Sequence, residues 1–137
     1  MHTLNFAHLV NYDAGLTGIP IVIKLGVIGS SAEVTAKLDT GATDCIFARR
    51  FGEQLGFDIE AGEPVRIGTA TGSFLTFRHY VTLSVLDYEF DVGACFAADE
   101  HFNRNVLGRF GFLDRVLLGL NDYEGQLYLN SLAELWS

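Results

Sequence analysis

The stretch Lys37-Leu38-Asp39-Thr40-Gly41-Ala42-Thr43 ends an alternating strand on a carboxylate and follows it at once with a small, flexible loop. Residues 33–38 read Glu-Val-Thr-Ala-Lys-Leu, polar and apolar in turn, which is the period of a strand with one buried face. Asp39 therefore leaves a strand whose apolar neighbours point into a core, where an isolated charge is costly. Thr40 can hydrogen-bond backbone, and Gly41 lets the chain pass close to another group. Asp, Thr and Gly are all turn formers, so on its own the tripeptide reads first as a turn. Its surroundings decide between a turn and a site.

Working outward, period-two alternation dominates. Ile19, Ile21 and Ile23 recur every second residue, and Ile28-Gly29-Ser30 is a turn signal, so residues 19–28 and 31–38 are expected to form a hairpin. Val81, Leu83 and Val85 alternate with Thr82 and Ser84; Tyr88, Phe90 and Val92 alternate with Glu89 and Asp91. A second hairpin should turn at Leu86-Asp87. Residues 126–129 read as a short strand after a turn at 122–125. Helical spacing is scarce: Phe47, Phe51 and Leu55 sit at i, i+4 and i+8, with Gly56 as C-cap. Residues 110–115 should add one or two turns, and Ser131-Leu132-Ala133-Glu134 has the form of a capping box opening a short helix to Ser137. The expectation is an all-β fold with one or two short helices, closed or barrel-like, as one domain over residues 1–137.

Composition agrees. A chain of 137 residues holds about one domain. With 49% hydrophobic and 19% charged residues and only 2 Pro, it can bury a core. The net charge of −8 would repel a phosphate backbone, which argues against a nucleic-acid partner. No run of about 18 apolar residues occurs, so no membrane span is expected. Residues 1–6 lack a cationic patch followed by an apolar run, which predicts no signal peptide and a cytoplasmic protein. The 2 cysteines, Cys45 and Cys95, are expected as free thiols. With His2, His8, His79 and His101 they show no zinc-type spacing, so neither metal nor cofactor is expected. Cys45 reads as a small core residue rather than a nucleophile, and His79 as a strand histidine. Gly68-x-x-x-Gly72 lacks the Lys-Ser/Thr of a phosphate loop.

Three ordered segments resemble the single-domain, retropepsin-like aspartic proteases: the strand into Asp39-Thr40-Gly41-Ala42, the short helical stretch at 46–56, and Val106-Leu107-Gly108-Arg109, similar to the family's hydrophobic-hydrophobic-Gly motif that passes behind the catalytic loop. The resemblance runs over about residues 18–130. It implies a closed acid-protease barrel that is half of a symmetric dimer, and an aspartic endopeptidase needing no cofactor. In this family two facing carboxylates share a proton; one serves as base toward water while the other donates to the peptide carbonyl, and aspartic proteases are the standard case of such a dyad. The only near miss for a second Asp-Thr-Gly is Asp13-Ala14-Gly15, which reads as an ordinary turn. The dyad then requires Asp39 from two chains, in a homodimer. Asp39, Thr40 and Gly41 take the catalytic-loop roles, with Thr40 bonding to the opposite loop. Residues 66–74 resemble the flap, so Gly68, Thr69, Ala70, Thr71 and Gly72, together with Ala42, are the expected contacts to a peptide or protein substrate bound as an extended strand. Gly68 and Gly72 are the expected hinges.

The resemblance further implies an intersubunit sheet built from residues 126–129, together with 4–10, while Leu132, Leu135 and Trp136 lengthen it or pack on their own subunit. A second reading is a dimerisation or peptide-binding module of the same fold without useful catalysis; the intact Asp-Thr-Gly-Ala favours the enzyme. Two departures stand out. Thr43 occupies the place where retroviral members carry a second Asp that pairs with the Arg after the later Gly, so Arg109 should turn to Asp44 or Asp114. Residues 96–105 match no motif and are expected as an exposed loop.

Overall fold

The computed structural model describes residues 1–132. Ten strands and one short helix follow in chain order: β1 (His8–Asn11), β2 (Pro20–Val27), β3 (Ser30–Leu38), β4 (Ile46–Phe47), α1 (Arg49–Gln54), β5 (Glu63–Thr69), β6 (Gly72–Val85), β7 (Tyr88–Ala97), β8 (Val106–Leu107), β9 (Val116–Asn121) and β10 (Gln126–Ser131). Two 3-10 turns, Ile59–Ala61 and Leu113–Arg115, complete it. The chain is mostly β, and among the described residues no helix is long and apolar enough to cross a membrane.

Seven strands share one sheet in the order β2-β3-β8-β4-β7-β6-β5, and β2 pairs additionally with β6 over Lys24–Gly26, which joins six of them into a ring. Alternation drives this. Ile21, Ile23 and Leu25 of β2, Ala32, Val34 and Ala36 of β3, and Val81, Leu83 and Val85 of β6 are all buried. Val22 and Lys24 between them stay exposed. The period-two pattern thus becomes a single inner face. Both expected hairpins form, the second turning at Leu86-Asp87 with Leu86 at φ 53°.

The helix is shorter than its apolar spacing suggests. Phe47 belongs to β4, and Ala48, at φ −58° and ψ 143°, breaks the run before α1 begins. Phe51 and Leu55 do pack inward from it, and Gly56 at φ +92° ends it. The expectation for residues 96–105 is also corrected. Phe96 and Ala97 are fully buried and complete β7, so the loop spans 98–105 only.

β1, β10 and β9 form a separate three-stranded sheet, with His8 opposite Leu129 and Tyr128 opposite Gly119. Buried Asn130 fixes the entering chain: its side-chain oxygen accepts from Ala7 N–H and its amide donates to Asn5 O, both at 2.6 Å. Residues 126–129 therefore lie in the middle of a sheet made within one chain. Both of their hydrogen-bonding edges are occupied, so they cannot themselves receive a partner's strand; among the described residues the free edges of this sheet are those of β1 and β9. The helix expected from Ser131 to Ser137 falls largely outside the described residues, and Ser131 itself ends β10.

Candidate active site

β3 delivers Asp39 to the site. β8 lies parallel to β3, Leu38 opposite Leu107, and antiparallel to β4 at Ile46. The loop 39–45 is thereby held between two strands that β8 separates. Asp39 N–H donates to Leu107 O at 3.0 Å, Arg109 N–H to Ala42 O at 2.9 Å, and Phe110 N–H to Thr43 O at 2.8 Å. The loop is stitched to residues 107–110 backbone to backbone, and Gly108 makes this possible: a Cβ there would overlap the carbonyl oxygens of Asp44 and Ala42.

Within the loop, Asp39 Oδ1 accepts from Gly41 N–H at 2.9 Å. The same turn occurs at Asp13, whose Oδ1 accepts from Gly15 N–H at 2.8 Å. Local Asp-x-Gly chemistry is thus shared by both places. What sets Asp39 apart is the strand pair behind it and the cleft in front of it. Asp39, Thr40 and Gly41 are exposed, and Asp39 and Gly41 line a cleft of about 530 Å³.

The opposite wall of the cleft comes from the β5–β6 hairpin. Its strands pair continuously from Glu63–Arg78 to Thr69–Gly72, with Ala70-Thr71 as the turn. Gly68 and Thr69 line the cleft, as does Ala42 from below. Ala70, Thr71 and Gly72 sit at the exposed tip and do not line it. Six of the nine residues predicted from sequence thus gather at or beside the cleft, and the hairpin tip stands apart. Gly68 and Gly72 both lie in paired strand, opposite Ser73 and Thr69.

The aspartyl protease family model matches residues 24–121, spanning β2 through β9 and every part of this site. The chain belongs to the aspartyl protease family. A search of curated proteins finds no match.

Several cleft residues lay outside the substrate contacts expected from sequence. Arg66 and Phe74 reach the cleft from the hairpin, and Phe102 and Arg104 from loop 98–105. Phe74 and Phe102 stack at 4.7 Å between ring centroids, which ties loop to hairpin. β5 is largely exposed and left no periodic signal, and loop 98–105 matched no motif.

The expected partner of Arg109 is corrected too. Asp44 pairs with Arg78 Nη2 at 3.2 Å, both side chains being largely buried. Asp114 accepts from Gly111 N–H at 2.9 Å and lies 3.5 Å from Arg115 Nε. Among the described residues Arg109 makes no ion pair, and its guanidinium lies 5.9 Å from the centroid of Phe110. Arg78, from β6, thus supplies the cation that anchors the end of the Asp39 loop; it also reaches Glu63 at 3.4 Å.

Both cysteines are free and buried. Burial pushes the Cys45 thiol up to about 12 and raises that of Cys95, so neither supplies a thiolate. His79 is part of the packing: it stacks on Phe57 at 4.3 Å, and its Nε2 lies 2.9 Å from Ile59 O. Among the described residues no group of three or more His, Cys, Asp or Glu gathers as a metal site.

Proposed function

We propose that this aspartyl protease is a homodimeric aspartic endopeptidase in which Asp39 of each subunit contributes one half of the catalytic dyad. The observation that carries this reading is the position of Asp39: an exposed carboxylate on a loop clamped by β8, at the floor of a cleft sized for a peptide segment. One such carboxylate cannot serve as acid and base at once. Two brought together share a proton, so that one activates water and the other polarises the scissile carbonyl. Thr40 and Gly41 hold the loop, and Gly68 and Thr69, with the hairpin tip at Ala70, Thr71 and Gly72, close over an extended substrate that also contacts Ala42.

The surface beside Asp39 supports a two-fold partner. Thr40 borders a shallow depression with Arg109, Phe110 and Leu113, and Phe110 is 56% exposed, so a partner seated there would cover an apolar ring. The free β1 and β9 edges carry exposed Leu9 and Leu120. In this dimer the ring of strands is one half of a symmetric acid-protease fold, with β1 or β9, not β10, meeting the partner.

Cleavage of a peptide library at mildly acidic pH, with and without Asp39→Asn, tests the proposal. The wild type should cleave and the variant should not; equal activity in both would overturn the assignment. Sedimentation should show a dimer at micromolar concentration.

A further inference from the structure

Resting on that reading, the distribution of cations around Asp39 says something about the substrate. The chain carries only 9 Lys and Arg against 17 Asp and Glu. Among the described residues Arg49, Arg78 and Arg115 are engaged in ion pairs. Arg66 and Arg104 are not, and both line the Asp39 cleft, one from the β5–β6 hairpin and one from loop 98–105. Arg66 Nη1 donates a 3.4 Å hydrogen bond to Ser73 Oγ. The cleft's own carboxylates do not answer these cations: Asp39 accepts from Gly41, and Asp44 is held by Arg78.

Arg104 is also fixed in place. Asn103 before it accepts from Arg50 Nη1 at 2.7 Å. Asn105 after it accepts from Ala48 N–H through its side chain at 3.0 Å, and from Lys37 N–H through its backbone oxygen at 2.8 Å. Phe102 is stacked on Phe74 of the hairpin. A loop pinned at 102, 103 and 105 presents residue 104 with little freedom. A second hollow shares Asp39, Arg104 and Val106 with the first and is lined by Lys37 as well. In a strongly acidic protein, three cations in no ion pair among the described residues, Arg66, Arg104 and Lys37, thus outnumber the one unpaired carboxylate, Asp39, along the surface on which a peptide would lie.

We infer that the cleft selects substrates bearing an acidic side chain close to the scissile bond, with Arg66 and Arg104 as the specificity-determining residues that bind its carboxylate. Guanidinium forks suit planar carboxylates, and a closed hairpin would reduce solvent screening of the pair. Because the protein as a whole repels anions, the preference has to be local and salt-sensitive.

The test uses end-capped peptides, acetylated and amidated so that only side chains supply carboxylates, matched except for Glu, Gln or Lys at each position flanking an apolar scissile pair. In the wild type, kcat/KM for the best Glu peptide should exceed that of its Gln twin by about threefold to tenfold, the range between an exposed ion pair and a charge-assisted hydrogen bond. The Glu/Gln ratio should collapse toward one in Arg66→Gln or Arg104→Gln, and Arg104→Glu should invert it in favour of Lys. Anisotropy of the same peptides, labelled, on the Asp39→Asn protein reads the ratio without turnover. A ratio of one in the wild type, a ratio unmoved by the variants, or equal binding of both peptides overturns the inference. A preserved Glu preference in binding with no cleavage by the wild type would instead overturn the catalytic reading and leave this one standing.

Discussion

Adding one methyl group at Gly108 tests whether β8 really clamps the Asp39 loop. The glycine is buried, and a Cβ would overlap the carbonyl oxygen of Asp44 and approach that of Ala42 to 2.8 Å. Both obstacles are backbone, so no side chain can swing away. To admit Gly108→Ala the loop and β8 must part by about 0.5–1 Å, a shift that stretches well-formed hydrogen bonds beyond useful range. The bonds at risk are Arg109 N–H to Ala42 O at 2.9 Å and Phe110 N–H to Thr43 O at 2.8 Å. Overpacking costs about 1–3 kcal/mol and each backbone bond contributes roughly 1 kcal/mol, so the variant should lose about 2–5 kcal/mol. For a chain of this size that lowers Tm by on the order of 10 °C or more. Circular dichroism melts at fixed protein concentration would measure it, since association shifts Tm by mass action. A variant that melts with the wild type would show that β8 and the loop are not in backbone contact, and the geometry given for Asp39 would fail with it.

Three other expectations concern the surroundings of the site. Arg78→Met keeps the stem but removes the 3.2 Å pair with Asp44; at this partial burial the loss should be about 1–2 kcal/mol, and a double-mutant cycle with Asp44→Asn should show coupling well above ~0.3 kcal/mol, additivity being the contrary result. Cys45 and Cys95 should resist a thiol reagent at pH 8 in the folded protein and react only in denaturant, because burial holds both thiols protonated; fast labelling of native protein would contradict their placement. The hydrogen-bonded pair with Arg49 holds the Glu60 carboxyl below its ordinary 4.5. A depressed carboxyl stabilises the fold above the unfolded value and loses that contribution as pH falls through the folded one. Glu60→Gln should therefore lower Tm at pH 7, with the gap closing as pH drops below 4.5; a pH-independent gap would refute the pairing.

What could be read from sequence was what burial writes into it. β2, β3, β7 and the second half of β6 bury most of one face, so Ile21, Ile23, Val34, Val81 and Leu83 fall on alternate positions. β5 and β1 leave no such record: the first is mostly exposed, and the second alternates only between half-buried and exposed. The Phe47-Phe51-Leu55 spacing fits either a helix or a strand followed by a helix, and the turn at Ala48 between them has no sequence mark of its own. The partner of Asp44 could not be found by proximity along the chain, because the cation that meets it comes from β6, 34 residues away. Asp39 itself was legible through order rather than locality. The Asp13 turn has the same internal hydrogen bond, and in the sequence the later Val106-Leu107-Gly108 segment, which packs behind the Asp39 loop, distinguishes the two.

The shared dyad is tested most directly by mixing subunits. Wild-type and Asp39→Asn chains, unfolded together and refolded at varied ratios, should pair at random if they form symmetric dimers. Peptidase activity should then fall as the square of the wild-type fraction, because only a pair with two aspartates can hold the shared proton. A fall in simple proportion to that fraction would mean that each chain works alone.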